Sequence, residues 1–312
     1  MIFTVDRLQI VDGKFIAFEF FNCEKDKNLI GFNKEKIKFI KNNTFCDKYH
    51  GIGYNITDNS FKVHTSIFLD TTIETEKKEF DWEQYASWFK NENTLNPTDS
   101  SHSKALGSAT SNIGDPYVQS LLNSIHNDDY PKIDFSGDDS GLDITIKALN
   151  GTYTAGFDLD MYEPTEKIVI EFLKRENTSI TNLTAHPVRY PWNHQKFLSL
   201  WETTQHLNGT LYLVNYSDDH NESISVIEVI EMDTSGAIKS DVGYKFDNRE
   251  DLLAWLKLIN TDVTSSKTIL PNKPREIRNK DFWEKYQEEE NLFKQGKQPY
   301  NKIKSKIGKE YY

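Results

Sequence analysis

One short stretch, residues 156–175, carries acidic and basic side chains at spacings that could support metal chemistry. Asp158 and Asp160 alternate along its first half, and Glu171 interrupts an apolar run in its second half, just before Lys174. An ionised carboxylate inside an apolar core is costly unless it is paired with a cation or bound to a metal. Glu171 therefore predicts a site in which positive charge lies against the carboxylate.

Two strands joined by a turn would position these side chains. A turn centred on Pro164-Thr165 sets Asp158 opposite Glu171, with Asp160 on the same face of the hairpin. Facing carboxylates repel each other unless something positive lies between them, and Mg²⁺ takes such hard oxygen ligands while it keeps part of its water shell. The hairpin therefore predicts a Mg²⁺ site, with Mn²⁺ as an alternative ion, at Asp158, Asp160 and Glu171.

A solvent-facing sheet surface, with lysine and arginine balancing the acids, is the alternative for these three carboxylates. The position of the nearby cations bears on the choice. On a regular strand Lys174 points away from the Glu171 face and Arg175 points toward it. Three arrangements are therefore open. A β-bulge near Leu173 turns Lys174 toward Glu171, or Arg175 takes its place beside Glu171 and supplies positive charge without accepting a proton. In the third arrangement neither cation serves Glu171, and the site is degenerate, that is, without activity.

This hairpin and the elements after it resemble the PD-(D/E)XK nuclease superfamily, over roughly residues 112–262. The family usually has Glu-x-Lys, whereas this chain has Glu-Phe-Leu-Lys from Glu171 to Lys174. The resemblance implies that Asp158, or Asp160 in its place, is catalytic together with Glu171 and Lys174. They would bind Mg²⁺, activate water and stabilise charge on a scissile phosphate.

Four more polar residues after the hairpin are predicted to line the path of the substrate phosphates: His186, Arg189, Gln195 and Lys196. The resemblance also implies the fold class. We expect an α/β (α+β) protein with a restriction-endonuclease-like core, in which helices flank a mixed β-sheet, preceded by a β-rich N-terminal domain.

The distribution of apolar periods and polar segments predicts four parts. They are a β-rich N-terminal domain at 1–95, a linker at 96–111, the nuclease-like core at 112–262 and a basic helical tail at 263–312. In the N-terminal part, Asp12-Gly13 between two apolar runs predicts a hairpin. Further strands are expected at 37–40 and 61–69, with a helix at 81–89.

The core is predicted from its start and stop signals. The expected elements are helices at 115–125, 192–207 and 247–259, and strands at 133–135, 142–148, 211–216 and 224–232, besides the hairpin. From residue 273 to the end, eleven Lys and Arg stand against seven Asp and Glu, so the tail is basic although the whole chain has a net charge of −11. That overall charge opposes a general affinity for nucleic acid but permits a locally basic cleft.

Two cysteines in 312 residues argue against a disulfide framework and a cysteine-based zinc site. The chain shows neither a transmembrane span nor a signal peptide at its start, so we expect a cytoplasmic protein without a membrane partner.

The predicted function is metal-dependent hydrolysis of nucleic-acid phosphodiesters, by a DNA endonuclease of restriction or defence type. DNA is favoured over RNA as the partner, and a homodimer would suit double-strand cutting. The alternative is a catalytically degenerate nuclease-like module that binds nucleic acid or a protein partner.

Overall fold

The computed structural model describes residues 2–11, 13–24, 46–69, 72–92, 104–105, 115–125, 144, 148–149, 153–154, 156–175, 181–183, 185–187, 194–261, 288, 291–292 and 295–297. These residues form a mixed α+β protein that divides into two compact units, Ile2–Pro164 and Thr165–Tyr312. The predicted domain limits at 1–95, 96–111, 112–262 and 263–312 remain predictions about independently folding parts.

The N-terminal unit is built around strands in the order β5-β4-β3-β2-β1-β8. Neighbours are antiparallel except β2 and β3, which are parallel. The strands are β1 (Phe3–Val11), β2 (Lys14–Asn22), β3 (Lys48–Asn55), β4 (Ser60–Phe68), β5 (Ile73–Phe80) and β8 (Gly156–Glu163). A separate antiparallel pair joins β6 (Lys104–Ala105) to β7 (Tyr153–Thr154).

The β1–β2 hairpin confirms the prediction from Asp12-Gly13. Val11 and Lys14 close the ladder, and Gly13 has φ +72°, which a two-residue hairpin turn requires and glycine adopts without steric cost. The predicted strand at 61–69 is likewise confirmed as β4.

Helix α1 (Trp82–Glu92) confirms the helix predicted at 81–89, and a side-chain cap fixes its start. The Gln84 amide N–H donates to Asp81 Oδ1 at 2.9 Å, and the Asp81 amide N–H donates to Gln84 Oε1 at 3.1 Å. This reciprocal pair satisfies two N–H groups that a helix start leaves without helical partners. The helix buries Tyr85, which stacks on Phe61 with ring centroids 4.1 Å apart, and thereby attaches α1 to the sheet.

Helix α2 (Pro116–Ile125) confirms the prediction at 115–125 and is capped by Asp115, whose Oδ1 accepts the Tyr117 amide N–H at 2.9 Å. The strand expected at 142–148 is wrong where it can be checked, because Ile144 and Ala148 have helical backbone. The strands expected at 37–40 and 133–135 lie outside the described residues, as does nearly all of the tail.

The C-terminal unit has the strand order β9-β10-β11-β12, with β9 parallel to β10 and the other neighbours antiparallel. The strands are β9 (Ile168–Lys174), β10 (Thr210–Tyr216), β11 (Ile224–Met232) and β12 (Ile238–Phe246); the helices are α3 (His194–Leu207) and α4 (Arg249–Thr261). Helix α3 is the crossover that a parallel β9–β10 pair needs.

Each face of the C-terminal strands is covered by a different helix. Trp255 of α4 packs against Tyr212 and Phe246, with centroids 5.3 and 5.6 Å apart, on the face that residues of even number share along β10 and β12. Lys196 of α3 reaches Glu171, which lies on the opposite face of β9. Within the described residues no helix is long and apolar enough to cross a membrane.

Candidate functional site

Glu171 lies in the middle of β9 among buried apolar neighbours. Its side chain is 0% exposed, so the interpretation as a solvent-facing acid is wrong for this residue. Glu171 is held by an ion pair with Lys196, whose Nζ contacts Glu171 Oε1 and whose side chain is 9% exposed. The expectation that a cation must lie against this carboxylate is met by a lysine from another element.

Helix α3 presents Lys196 because an apolar stripe fixes the helix on the sheet. Phe197 and Leu200 are buried, and the hydroxyls of Thr203 and Thr204 donate to carbonyl groups one turn earlier, at 2.9 and 2.7 Å. These internal bonds allow two hydroxyl groups to be buried without an unsatisfied donor. Lys196, in the first turn, can then reach Glu171 while the following residues stay packed.

The other end of α3 is attached to the start of β9. The Thr210 amide N–H donates to the Lys167 carbonyl at 3.1 Å, and a Cβ on Gly209 would lie 2.0 Å from the same oxygen. No side chain fits at that distance, so the close approach of the two segments requires glycine. Both ends of the crossover are therefore held against β9.

Lys174 does not share the face of Glu171. The parallel register from Ile168 to Lys174 against β10 has no shift, so the bulge that would turn Lys174 toward Glu171 is not present in β9. Lys174 Nζ instead lies 2.9 Å from Asp218 Oδ1 in the loop after β10. The prediction that Lys174 acts beside Glu171 is corrected on this geometric ground.

Arg175 belongs to a network at the carboxyl ends of β9 and β10. Its guanidinium is ion-paired with Glu222 and donates from Nε to Asn182 Oδ1 at 3.1 Å. Glu222 also accepts from the Asn182 amide N–H and the Ser217 hydroxyl, both at 2.8 Å. Three donors on one carboxylate indicate a clamp that fixes two loops.

His186 forms a second buried ionisable pair in this unit. Its Nε2 lies 3.3 Å from Asp241 Oδ2 on β12, and both side chains are buried.

The other predicted substrate-binding residues are Arg189, Gln195 and Lys196. Arg189 lies outside the described residues. Gln195 is the second residue of α3, and its side chain is outside the described part of the chain. Of the four predicted substrate-binding residues, only Lys196 is seen in contact with a predicted catalytic residue.

Asp158 and Asp160 lie on β8 and belong to the N-terminal unit. Asp160 is fully buried, which excludes the solvent-facing interpretation for it as well, whereas the side chain of Asp158 is not described. The turn between β8 and β9 covers residues 164–167, so its centre lies later than Pro164-Thr165. The pairing of Asp158 with Glu171 assumed the earlier centre and remains a prediction.

The described residues contain no group of three or more His, Cys, Asp or Glu side chains arranged to hold a metal ion. Glu171 nevertheless offers carboxylate oxygens, the donor type that Mg²⁺ prefers. The chemistry that the described geometry supports is thus a carboxylate and an ammonium group held together at one buried point.

The sequence predicted that Lys196 would contact substrate but missed its contact with Glu171. The only available signal was its place in the first turn of a helix following the Glu171 strand. The chain matches no protein-family model, and no curated protein or solved structure is significantly similar to it. The nuclease resemblance therefore rests on the residues alone.

Proposed function

We propose that this chain is a metal-dependent phosphodiesterase of the restriction-endonuclease-like type that acts on nucleic acid, with DNA favoured over RNA. The observation that carries the proposal is the buried Glu171–Lys196 ion pair between a parallel strand and its crossover helix. In this proposal Glu171 is a ligand of Mg²⁺ or Mn²⁺, together with Asp158 and Asp160 of the preceding strand.

Lys196 takes the role first assigned to Lys174. Its ammonium group would donate to a phosphate oxygen and offset the negative charge that develops during hydrolysis. A bound divalent ion would lower the pKa of a coordinated water. Glu171 would also keep Lys196 in place before the substrate binds, which spares the site part of the cost of ordering a long side chain.

The decisive experiment compares Glu171→Gln and Lys196→Met with the parent protein on plasmid DNA and on structured RNA, in Mg²⁺ and Mn²⁺. Each variant should lose cleavage by about 10²-fold or more, because Glu171→Gln would weaken the metal site and Lys196→Met would remove the ammonium group that offsets negative charge in the transition state. Lys239→Met is the matched control, since Lys239 also pairs with an acid, Asp233, at 2.9 Å in the same unit. Cleavage that survives both site variants contradicts the assignment.

A second candidate is supported by the burial of the same residues. Glu171 is fully buried, and a nucleic-acid strand cannot reach it without a rearrangement of the groups that cover it. A catalytically degenerate module, in which the pair only stabilises the scaffold, accounts for that burial. This candidate predicts no metal-dependent cleavage of DNA or RNA and no Mn²⁺ binding in calorimetry, but retained binding of nucleic acid or a protein partner.

A further inference from the structure

A groove of about 530 Å³ opens between α1 and β5 in the N-terminal unit. We call it the β5–α1 groove. Phe80 and Trp88 line it with stacked rings, whose centroids are 5.8 Å apart and whose planes differ by 27°. Trp88 also makes an edge-on contact with the buried His50 ring at 5.1 Å, which holds the indole in place. Its volume lies within the range of small-molecule sites, about 300–1,000 Å³, but the groove is shallow and open to solvent.

The lining comes from one face of each element. Gln84, Ser87, Trp88 and Asn91 follow the three- and four-residue spacing that sets side chains on one side of a helix. Lys78 and Phe80 are two residues apart on β5 and therefore share a face of the strand; Glu83 completes the lining. A rigid helix and a strand, rather than a loop, thus form the walls.

The polar groups of the groove suit an uncharged ligand. Gln84, Ser87 and Asn91 provide amide and hydroxyl groups that can both donate and accept hydrogen bonds. Lys78 and Glu83 carry opposite charges, so the lining as a whole is neutral. Beside them, Phe80 and Trp88 offer an apolar surface with a negative π-face. A ligand that matches this surface has several hydroxyl groups and one apolar face.

Local charge argues against nucleic acid in this groove. The two elements that form it, Ile73–Phe80 and Trp82–Glu92, contain five Glu and three Lys, a net charge of −2. Phosphate contacts need an excess of cations, which is absent in these two segments. Aromatic stacking alone would not overcome the repulsion of a polyanion by the glutamates.

The exposed strand argues against an added peptide strand. β5 is the last strand in the described order of its sheet, and its residues from Glu74 to Glu79 are exposed. Five of those six residues are charged. Charged side chains along an exposed edge disfavour pairing with another strand.

We propose that the β5–α1 groove is a binding site for a neutral oligosaccharide. The apolar C–H face of one pyranose ring packs on Trp88 and Phe80, where slightly positive C–H groups meet the negative face of the aromatic rings. The ring hydroxyls exchange hydrogen bonds with Gln84, Ser87 and Asn91. This site is separate from the proposed hydrolytic site and does not depend on it.

The test titrates the full-length protein with neutral trisaccharides of glucose, N-acetylglucosamine, galactose, mannose and xylose, up to about 10 mM, by calorimetry. A ten-nucleotide oligothymidine is the polyanion comparison. Ser87→Trp is designed to fill the groove from an exposed helix position without removing a core side chain. Asn91→Ala removes one hydrogen-bonding group, and Glu79→Ala, on the other face of β5, is the matched control.

The expected result is binding of at least one trisaccharide class that Ser87→Trp abolishes, Asn91→Ala weakens about three- to tenfold and Glu79→Ala leaves unchanged. Three results overturn the proposal. Either no trisaccharide binds at the highest concentration, or the oligothymidine binds and Ser87→Trp abolishes that binding, or sugar binds equally well to the parent and to Ser87→Trp. Circular dichroism melting of each variant confirms that a loss of binding is not a loss of fold.

Discussion

Lys196 and Glu171, which are 25 positions apart in the chain, form an ion pair that is almost wholly withdrawn from water. Withdrawing two charges from water is costly, and their mutual attraction offsets part of that cost. Removing one partner takes away the opposite charge that lies against the other. The pair therefore couples the placement of α3 to the stability of β9.

This coupling predicts a non-additive effect on stability. Glu171→Gln and Lys196→Met should each lower the free energy of unfolding of the C-terminal unit by about 3–5 kcal/mol, because each removes the opposite charge that lies against a buried charged group. The double variant should be closer to the parent than either single variant is. Urea unfolding followed by circular dichroism measures all four proteins, and additive losses would contradict the pairing.

The same four proteins separate a structural role from a catalytic one. In the proposed phosphodiesterase the neutral double variant folds well and is still inactive. In the degenerate module it folds well, and the parent protein is equally inactive. Plasmid cleavage measured beside unfolding therefore distinguishes the two candidate functions.

The faces of β9 predict which lysine serves the proposed activity. Lys174→Ala should change metal-dependent cleavage by no more than a few-fold, because Lys174 points away from Glu171 and pairs with exposed Asp218. Lys196→Met should reduce cleavage by about 10²-fold or more. Chelation with EDTA should abolish the activity of the parent, and Mn²⁺ should restore it. A larger loss of cleavage in Lys174→Ala than in Lys196→Met would contradict this assignment and would indicate that Lys174 lies on the Glu171 side of β9.

His50 predicts a loss of stability of the N-terminal unit in mild acid. Burial lowers the pKa of His50 below its usual value of 6.5, and its Nδ1 lies 2.9 Å from the Thr65 hydroxyl. The folded state therefore binds fewer protons than the unfolded state, and stability falls as pH drops below 6.5 through the lowered pKa. Glu92, whose Oε2 lies 3.3 Å from His50 Nε2, Lys48 and Lys78 are the charged groups that act on the ring.

His50→Gln isolates that effect. The amide can keep a hydrogen bond to Thr65 but cannot titrate, so its unfolding free energy should be flatter between about pH 5 and 6.5 than that of the parent. Protonation of Glu92 also lowers the stability, but at lower pH than protonation of His50 does. Hydrogen bonds from His50 and Lys48 outweigh the effect of burial and hold the pKa of Glu92 at about 2. An identical slope in parent and variant above pH 5 would exclude His50 as the source.

Gly209 predicts a severe effect of a single methyl group. A Cβ there would lie 2.0 Å from the Lys167 carbonyl oxygen, so Gly209→Ala should destabilise the C-terminal unit by about 2 kcal/mol or more. Gly13→Ala is the comparison, because Gly13 has φ +72° with nothing within 4 Å of the added methyl. It should cost only the left-handed backbone strain of about 1–2 kcal/mol. Thermal melts of the two variants and of the parent protein measure the two losses of stability.

Local signals predicted much of the secondary structure. Asp12-Gly13 predicted the first hairpin, the aromatic spacing at 81–89 predicted α1, and Asp115 predicted the start of α2; the structure confirms each of these elements. Five of the described strands, β3, β5, β6, β7 and β12, were not predicted. β3 contains Gly51 and Gly53, and β12 contains Asp241, residue types that are rare in strands. Tertiary contacts overcame those preferences; Asp241, for example, is paired with His186.

The sequence by itself determined that β9 is a buried apolar strand with one acid in it, because apolar periodicity is a local property of the chain. It also determined that Lys174 would point away from that acid unless the strand bulged, because side chains alternate along a strand. Only the tertiary structure decided which cation neutralises Glu171. The answer depends on where a crossover helix packs, and that is set by the burial of Phe197 and Leu200 and by the close contact at Gly209, not by spacing along the chain.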